Sequence, residues 1–187
     1  MSPLWIVISV LVVLGGWFLV AYNSLVRRNN QVKEAWSDID VQLKRRHNLI
    51  PNLVETVKGY AQHEREAFDS VTKARAQALG ASTPAEHAQA ENMLTNSLKS
   101  LFAVAEAYPE LKANTNFLEL QRELADTENK VMAAHRFYNS NVRDYNTVVQ
   151  SVPTNVIASL FGFKEHEFFE LDDEAARSVP NISFTNK

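Results

Sequence analysis

Residues 25–60, LVRRNNQVKEAWSDIDVQLKRRHNLIPNLVETVKGY, carry the pattern that decides the fold. Their seam residues fall on an alternating four-three spacing: Leu25, Asn29, Val32, Trp36, Ile39, Leu43, Arg46, Ile50, Leu53, Val57 and Tyr60. A period near 3.5 is the seam of an α-helix packed along a partner, and a strand would show a period of two. Val54, Ala61, Phe68 and Val71 widen the face and extend it towards Leu79. The pattern predicts one helix over residues 25–79, roughly 80 Å long at helical rise.

Upstream, Leu4 to Tyr22 reads LWIVISVLVVLGGWFLVAY, without a charge and with Ser9 as its one clearly polar side chain. As a helix this is about 28 Å, close to the hydrocarbon thickness of a bilayer. Trp5, Trp17 and Tyr22 lie towards its ends, where amphipathic rings favour the interface. No basic residue precedes the run and no small-x-small site follows it, so the segment reads as an uncleaved anchor over residues 4–22, not a signal peptide. Arg27, Arg28 and Lys33 follow directly. The positive-inside rule then puts the soluble domain in the cytoplasm and the N-terminus outside.

Downstream, Leu79-Gly80-Ala81-Ser82 interrupts the stripe, and Thr83-Pro84-Ala85-Glu86 reads as a capping box with proline at the first helical position. A second helix is predicted over 84–108, ending at Pro109, and a third over 111–152, ending at Pro153. The chain divides into an anchor (1–24), a helical domain (25–153) and a tail (154–187). The fold class is all-α: a transmembrane helix followed by an antiparallel three- or four-helix bundle of coiled-coil character. In the tail, Asn155 to Phe161 forms a turn or two of helix stopped by Gly162. Phe163, Phe168, Phe169, Leu171 and the stretch Val179 to Phe184 then cover an open end or side of the bundle, or reach a neighbouring subunit.

Asn29, Arg46, Gln121, Glu128 and His135 occupy seam positions where apolar residues belong. Polar seam residues cost stability and are kept to fix register; Arg46 paired with Glu128 is the expected lock. The functional alternative is a polar pocket for a ligand or ion; an enzyme would need a concave pocket holding Glu128, His135 and a convergent basic group. Pro51 sits inside the first stripe, its ring against the His47 carbonyl. It predicts a kink that either curves the helix around its partners or serves as a hinge or contact point for another molecule. Trp36, Arg46, Pro51, Glu128, His135, Phe163, Phe168 and Phe169 are therefore the candidate interaction and register residues.

Composition narrows the function. The 187 residues carry a net charge of −3 and no cysteine, which argues against a general nucleic-acid binder and excludes thiolate metal sites and cysteine nucleophiles. His63-Glu64 and His166-Glu167 each lack the second histidine of a zinc-protease helix. No Glu-x-x-His pair, phosphate-binding glycine loop or G-x-S-x-G is present. No catalytic residue, metal ligand or cofactor is assigned.

Several blocks resemble LemA family proteins: Glu34 to Arg46, Asn48 to Val54, Val57 to Tyr60, Val71 to Ala76, Tyr108 to Asn114, Leu120-Gln121 through Thr127-Lys130, Tyr138-Asn139, Tyr145-Asn146 and the Gly162-Phe163 tail. The resemblance implies a bacterial protein with an N-terminal membrane helix, a short outside terminus and a cytoplasmic helical domain. Some relatives are linked to the organisation of internal membranes, and the resemblance supplies no catalytic residues. The first functional reading is a non-catalytic scaffold at the inner membrane, whose partners are the bilayer and further copies of itself. The alternative is a monomeric adaptor presenting Leu49 to Tyr60 to another membrane protein. The third is an enzyme with a pocket in the bundle.

Overall fold

The computed structural model describes residues 3–171. All its regular elements are helical: α1 Pro3–Lys58, α2 Arg65–Gly80, α3 Pro84–Glu106, α4 Pro109–Lys112, α5 Thr115–Gln150 and α6 Thr154–Phe161. No strand occurs among the described residues. The stretch Val179 to Phe184 lies outside them.

The anchor and the first long helix are one element. α1 runs 56 residues without interruption, with Pro51 inside it. Its N-terminal part exposes its apolar side chains, Leu4 to Val20 lying mostly between 40% and 69% accessible. A core helix would bury them, so this is a helix long and apolar enough to cross a membrane and otherwise uncovered. From Ala21 onward the same helix buries a regular stripe: Leu25, Val32, Ile39, Leu43, Ile50, Leu53 and Val57.

The predicted helix over 25–79 is two helices. α1 ends at Lys58, and the chain turns through hydrogen bonds from Tyr60 N and Ala61 N to Val57 O (3.0 and 2.9 Å). Gly59, a poor helix former, begins the turn. The continued apolar spacing was misleading because Phe68, Val71 and Ala78 do belong to a buried face, but on a helix that folds back. Tyr60 and Leu79, assigned to the stripe, are exposed. The third predicted helix likewise starts later: Leu111 lies in the short α4, and Asn114 caps α5 by accepting from Phe117 N (3.0 Å).

The capping box at α3 forms as its sequence dictates. The Thr83 hydroxyl accepts from Glu86 N (3.2 Å) while the Glu86 carboxylate accepts from the backbone N–H of Thr83 (3.2 Å) and Ser82 (2.8 Å). Those backbone donors hold the Glu86 carboxyl below its usual range.

α1 and α5 form a long antiparallel pair, with residues 25 to 46 of α1 facing residues 149 to 128 of α5 in reverse order. Their shared groove is covered in two sections. The half farther from the apolar span receives the α2–α3 hairpin, giving a core of Ile50, Leu53, Val57, Val71, Leu94, Leu101 and Leu111. The nearer half receives α6 and the extended chain that follows, giving cores around Ile39, Val142 and Phe169 and around Leu25 and Ile157. Gly162, with φ of 72°, turns the chain out of α6 in the left-handed region that favours glycine.

Candidate functional site

Two polar assemblies fasten these coverings to the α1–α5 pair. The first is a buried charge cluster. Arg46 and His47 are consecutive on α1, and both are about 96–97% buried. They meet Glu91 of α3, which is fully buried. One Glu91 oxygen lies 3.0 Å from Arg46 Nη1 and the other 2.6 Å from His47 Nε2. Arg46 Nη2 donates to Thr95 Oγ1 at 2.9 Å and lies 2.9 Å from the Glu128 carboxylate of α5. Arg46 thus ties α1 to both α3 and α5. Each Glu91 oxygen is occupied, which is what makes a buried carboxylate tolerable.

The expected partners Arg46 and Glu128 are in contact, whereas Glu91 was not singled out. A signal for it existed: Glu91, Leu94, Leu98, Leu101 and Ala105 keep the three-four spacing, so an acid occupies a seam position on the helix facing Arg46.

Pro51 acts at the same joint. Lacking an N–H, it leaves the His47 carbonyl without its helical donor. Arg75 of α2 supplies one, with Nε donating to His47 O at 2.9 Å. The helix continues through Pro51 to Lys58, and Pro51 itself faces solvent.

The second assembly holds residues 162–171 against α5. Asn146 donates to His166 O (2.9 Å) and accepts from His166 N (3.0 Å). Asn139 does the same for Phe169, donating to its carbonyl and accepting from its N–H, both at 2.9 Å. The two asparagines are seven residues apart in the helix and their partners three apart in the extended chain. Seven residues of helix and three of extended chain each advance about 10 Å, so the two rhythms coincide. Tyr138 OH donates to Glu167 O between them (2.9 Å). His135 Nε2 contacts the Phe169 carbonyl. The same Nε2 lies 2.9 Å from Asn139 Nδ2.

Phe169 is the plug of this strap, fully buried between Trp36 and His135, with ring centroids 5.7 and 5.5 Å away. Trp36 also meets Tyr138 of α5 and His87 of α3, at 5.3 and 5.4 Å, so it stands where the two coverings adjoin. Phe163 packs on Tyr22 at 5.9 Å, and Phe168 remains 44% exposed. His166 Nε2 lies 2.8 Å from Asn29 Oδ1. Burial, reinforced by nearby Lys33, pushes the His166 pKa down; burial raises those of Tyr138, with a smaller push from Glu167, and Tyr145.

The enzyme reading required Glu128 and His135 in one concave pocket. They are separated: Glu128 engages Arg46, while His135 faces the strap. The groove beside Glu128, about 410 Å³, is walled largely by Leu98, Phe102 and Leu124 and does not include His135. Among the described residues no group of His, Asp and Glu is arranged to hold a metal ion.

A model of the LemA family matches residues 35–184, a stretch holding the whole charge cluster and, Asn29 apart, every strap contact to α5 and Trp36. The chain belongs to the LemA family. Among the family's curated members and relatives, it is similar to magnetosome protein MamQ 2 of Paramagnetospirillum magneticum, at 25% identity over 95% of this chain and 75% of the relative. Magnetosome protein MamQ of Magnetospirillum gryphiswaldense is 23% identical over 88% of this chain and 70% of its own length. Protein LemA of Metamycoplasma hominis is 25% identical over 83% of this chain and 75% of its own length. The strap residues of this LemA-family chain, and their partners on α5, therefore lie within the matched region.

Proposed function

We propose that this LemA-family chain is a non-catalytic, membrane-anchored helical scaffold that self-assembles at the bacterial inner membrane and contributes to membrane organisation. The observation that carries the reading is the continuity of α1: one helix is both the apolar span and the spine of the folded domain. The polar cluster supports it, because Arg46, His47, Glu91 and Glu128 are paired with one another between helices. Relatives named for the magnetosome agree with a role at a membrane-associated structure. Arg27, Arg28 and Lys33 just beyond the span favour a cytoplasmic domain.

The adaptor reading is weaker. It needs an exposed apolar patch between Leu49 and Tyr60, and Ile50, Leu53, Val54 and Val57 are buried.

The mass of the detergent-solubilised full-length protein tests self-assembly. A discrete particle of many protomers is expected, and a monomer at all concentrations sinks the scaffold. Orientation is read separately, since the chain lacks cysteine. A single cysteine at exposed Val41 should resist a membrane-impermeant maleimide applied to intact spheroplasts and react after lysis.

A further inference from the structure

The chain from Tyr145 to Phe163 contains no charged side chain. It includes the end of α5, the elbow and α6. One face of α6 is settled: Ile157 and Ala158, 2% and 1% exposed, pack on Ala21 and Leu25 of α1. The other face is largely apolar, with Ser159 its exposed polar residue: Val156 is 67%, Leu160 71% and Phe161 49% exposed, and Val152 of the elbow 81% exposed. Single exposed apolar residues need no explanation, but four in ten residues with no intervening charge form a patch.

The position of this patch along α1 explains it. The Phe161 ring lies 5.9 Å from Phe18 and 4.8 Å from Tyr22, residues of the apolar span itself. α6 therefore sits beside the last turns of the span. Arg27 and Arg28 follow Tyr22 by one to two helical turns, about 8–9 Å, the distance from the edge of the hydrocarbon to the head groups. Charge is absent from α6 at the level where the span has none, and resumes with Lys164 as the strap climbs to the level of Asn29.

Part of the elbow's backbone is satisfied within the chain, as a lipid setting favours. Thr154 Oγ1 lies within hydrogen-bond distance of Val148 O (2.6 Å) and Ser151 O (2.8 Å), and Ser151 Oγ donates to Thr147 O (2.6 Å). Asn155 N donates to Ser151 O (2.8 Å). Beyond α6, Phe163 N donates to Ala158 O (2.9 Å) and Gly162 N to Ser159 O (3.4 Å). Val148 O, Ala158 O and Ser159 O, near helix ends where water serves the carbonyls of most soluble helices, thus have donors within the chain.

We propose that α6 and the elbow before it are a second membrane contact, inserted in the interfacial layer of the leaflet on the domain's side, with Val152, Val156, Leu160 and Phe161 facing acyl chains. This rests on the reading of α1 as a membrane span. It makes the chain a monotopic insertion alongside a single pass, and an inserted element confined to one leaflet expands that leaflet alone.

The test uses the full-length protein in vesicles, with single cysteines placed at Val12, Val41, Val156 or Leu160 and labelled with an environment-sensitive fluorophore. Two sets of vesicles carry lipid-borne nitroxides, near the head group or deep in the chains, and iodide is the aqueous quencher. Positions 156 and 160 should be quenched most by the shallow nitroxide and several-fold less by iodide than position 41. Position 12 reports the anchor: quenching there by the deep nitroxide upholds the span whatever α6 does. If 12 is lipid-quenched while 156 and 160 respond to iodide like 41, the inference is overturned and the span stands. Protection of 156 and 160 from both quenchers also overturns it, because α6 is then covered by protein. Loss of lipid quenching at position 12 overturns both.

Discussion

The two halves of the α1–α5 groove solve one packing problem with different chemistry. Far from the span, a helical hairpin fills the groove and is fastened by charge: Arg46 and His47 converge on Glu91, with Glu128 at the edge. Near the span, an extended strap fills it and is fastened by neutral amides, Asn139 and Asn146 each exchanging two hydrogen bonds with the strap backbone. A buried ion cluster fails when one member is lost, since the remainder is an uncompensated charge. An amide clip fails locally and leaves no charge behind. Loss of an ion-cluster member should therefore be felt across the domain, and loss of a clip mainly at the strap.

Glu91→Ala should break the distal half. It strips Arg46 and His47 of a fully buried partner, at a cost on the order of 3–5 kcal/mol, read as a lowered midpoint for the whole helical signal in thermal melts. Phe169→Ala should release the proximal half, at a cost of about 3 kcal/mol. Its signature differs: fast hydrogen exchange confined to residues near the strap, with exchange at Leu94 and Leu101 unchanged. A drop in protection throughout the domain would show that the two halves are one cooperative unit.

Asn139→Ala and Asn146→Ala should each cost about 1–3 kcal/mol of strap attachment by removing two hydrogen bonds to buried backbone. Their coupling in a double-mutant cycle measures whether the strap peels or detaches whole. The smallest effect is pH dependence. Burial, with a smaller push from Lys33, lowers the His166 pKa in the strap from the ordinary 6.5. A released strap therefore binds the proton more readily, so attachment is full above about pH 6.5 and declines as pH falls through the lower bound-state value. A fluorophore on Phe168→Cys should report increasing mobility in that direction, and His166→Gln should flatten the slope.

Some of the polar residues behind this division were legible in the sequence, though the division itself was not. All five polar seam residues were visible as violations of a stripe, and they sort between the assemblies. Arg46 and Glu128 join the ion cluster, Asn29 and His135 hold the strap, and Gln121 lines the groove beside them. The α1–α2 break was not legible, because the seam spacing survives a turn whenever both helices bury the same core; only Gly59 marked it. The strap's chemistry was half visible. The repeated Tyr-Asn pairs at 138–139 and 145–146 stand one heptad apart, but their partners are backbone groups, which carry no sequence signature. Nor does the Arg75 bond to the carbonyl that Pro51 vacates announce itself in a list of residues.

The uninterrupted α1 carries a mechanical consequence. Between Tyr22 and Lys58 the helix is a lever about 54 Å long, stiffened by α5 along most of that length. A span that meets a bilayer of different thickness adjusts by tilting. With no hinge at the surface, a tilt of about 10° sweeps the far end of the domain sideways by roughly 9 Å over such a lever. On the reading of α1 as a membrane span, local bilayer thickness would be converted into the position of a protein tip well away from the lipid.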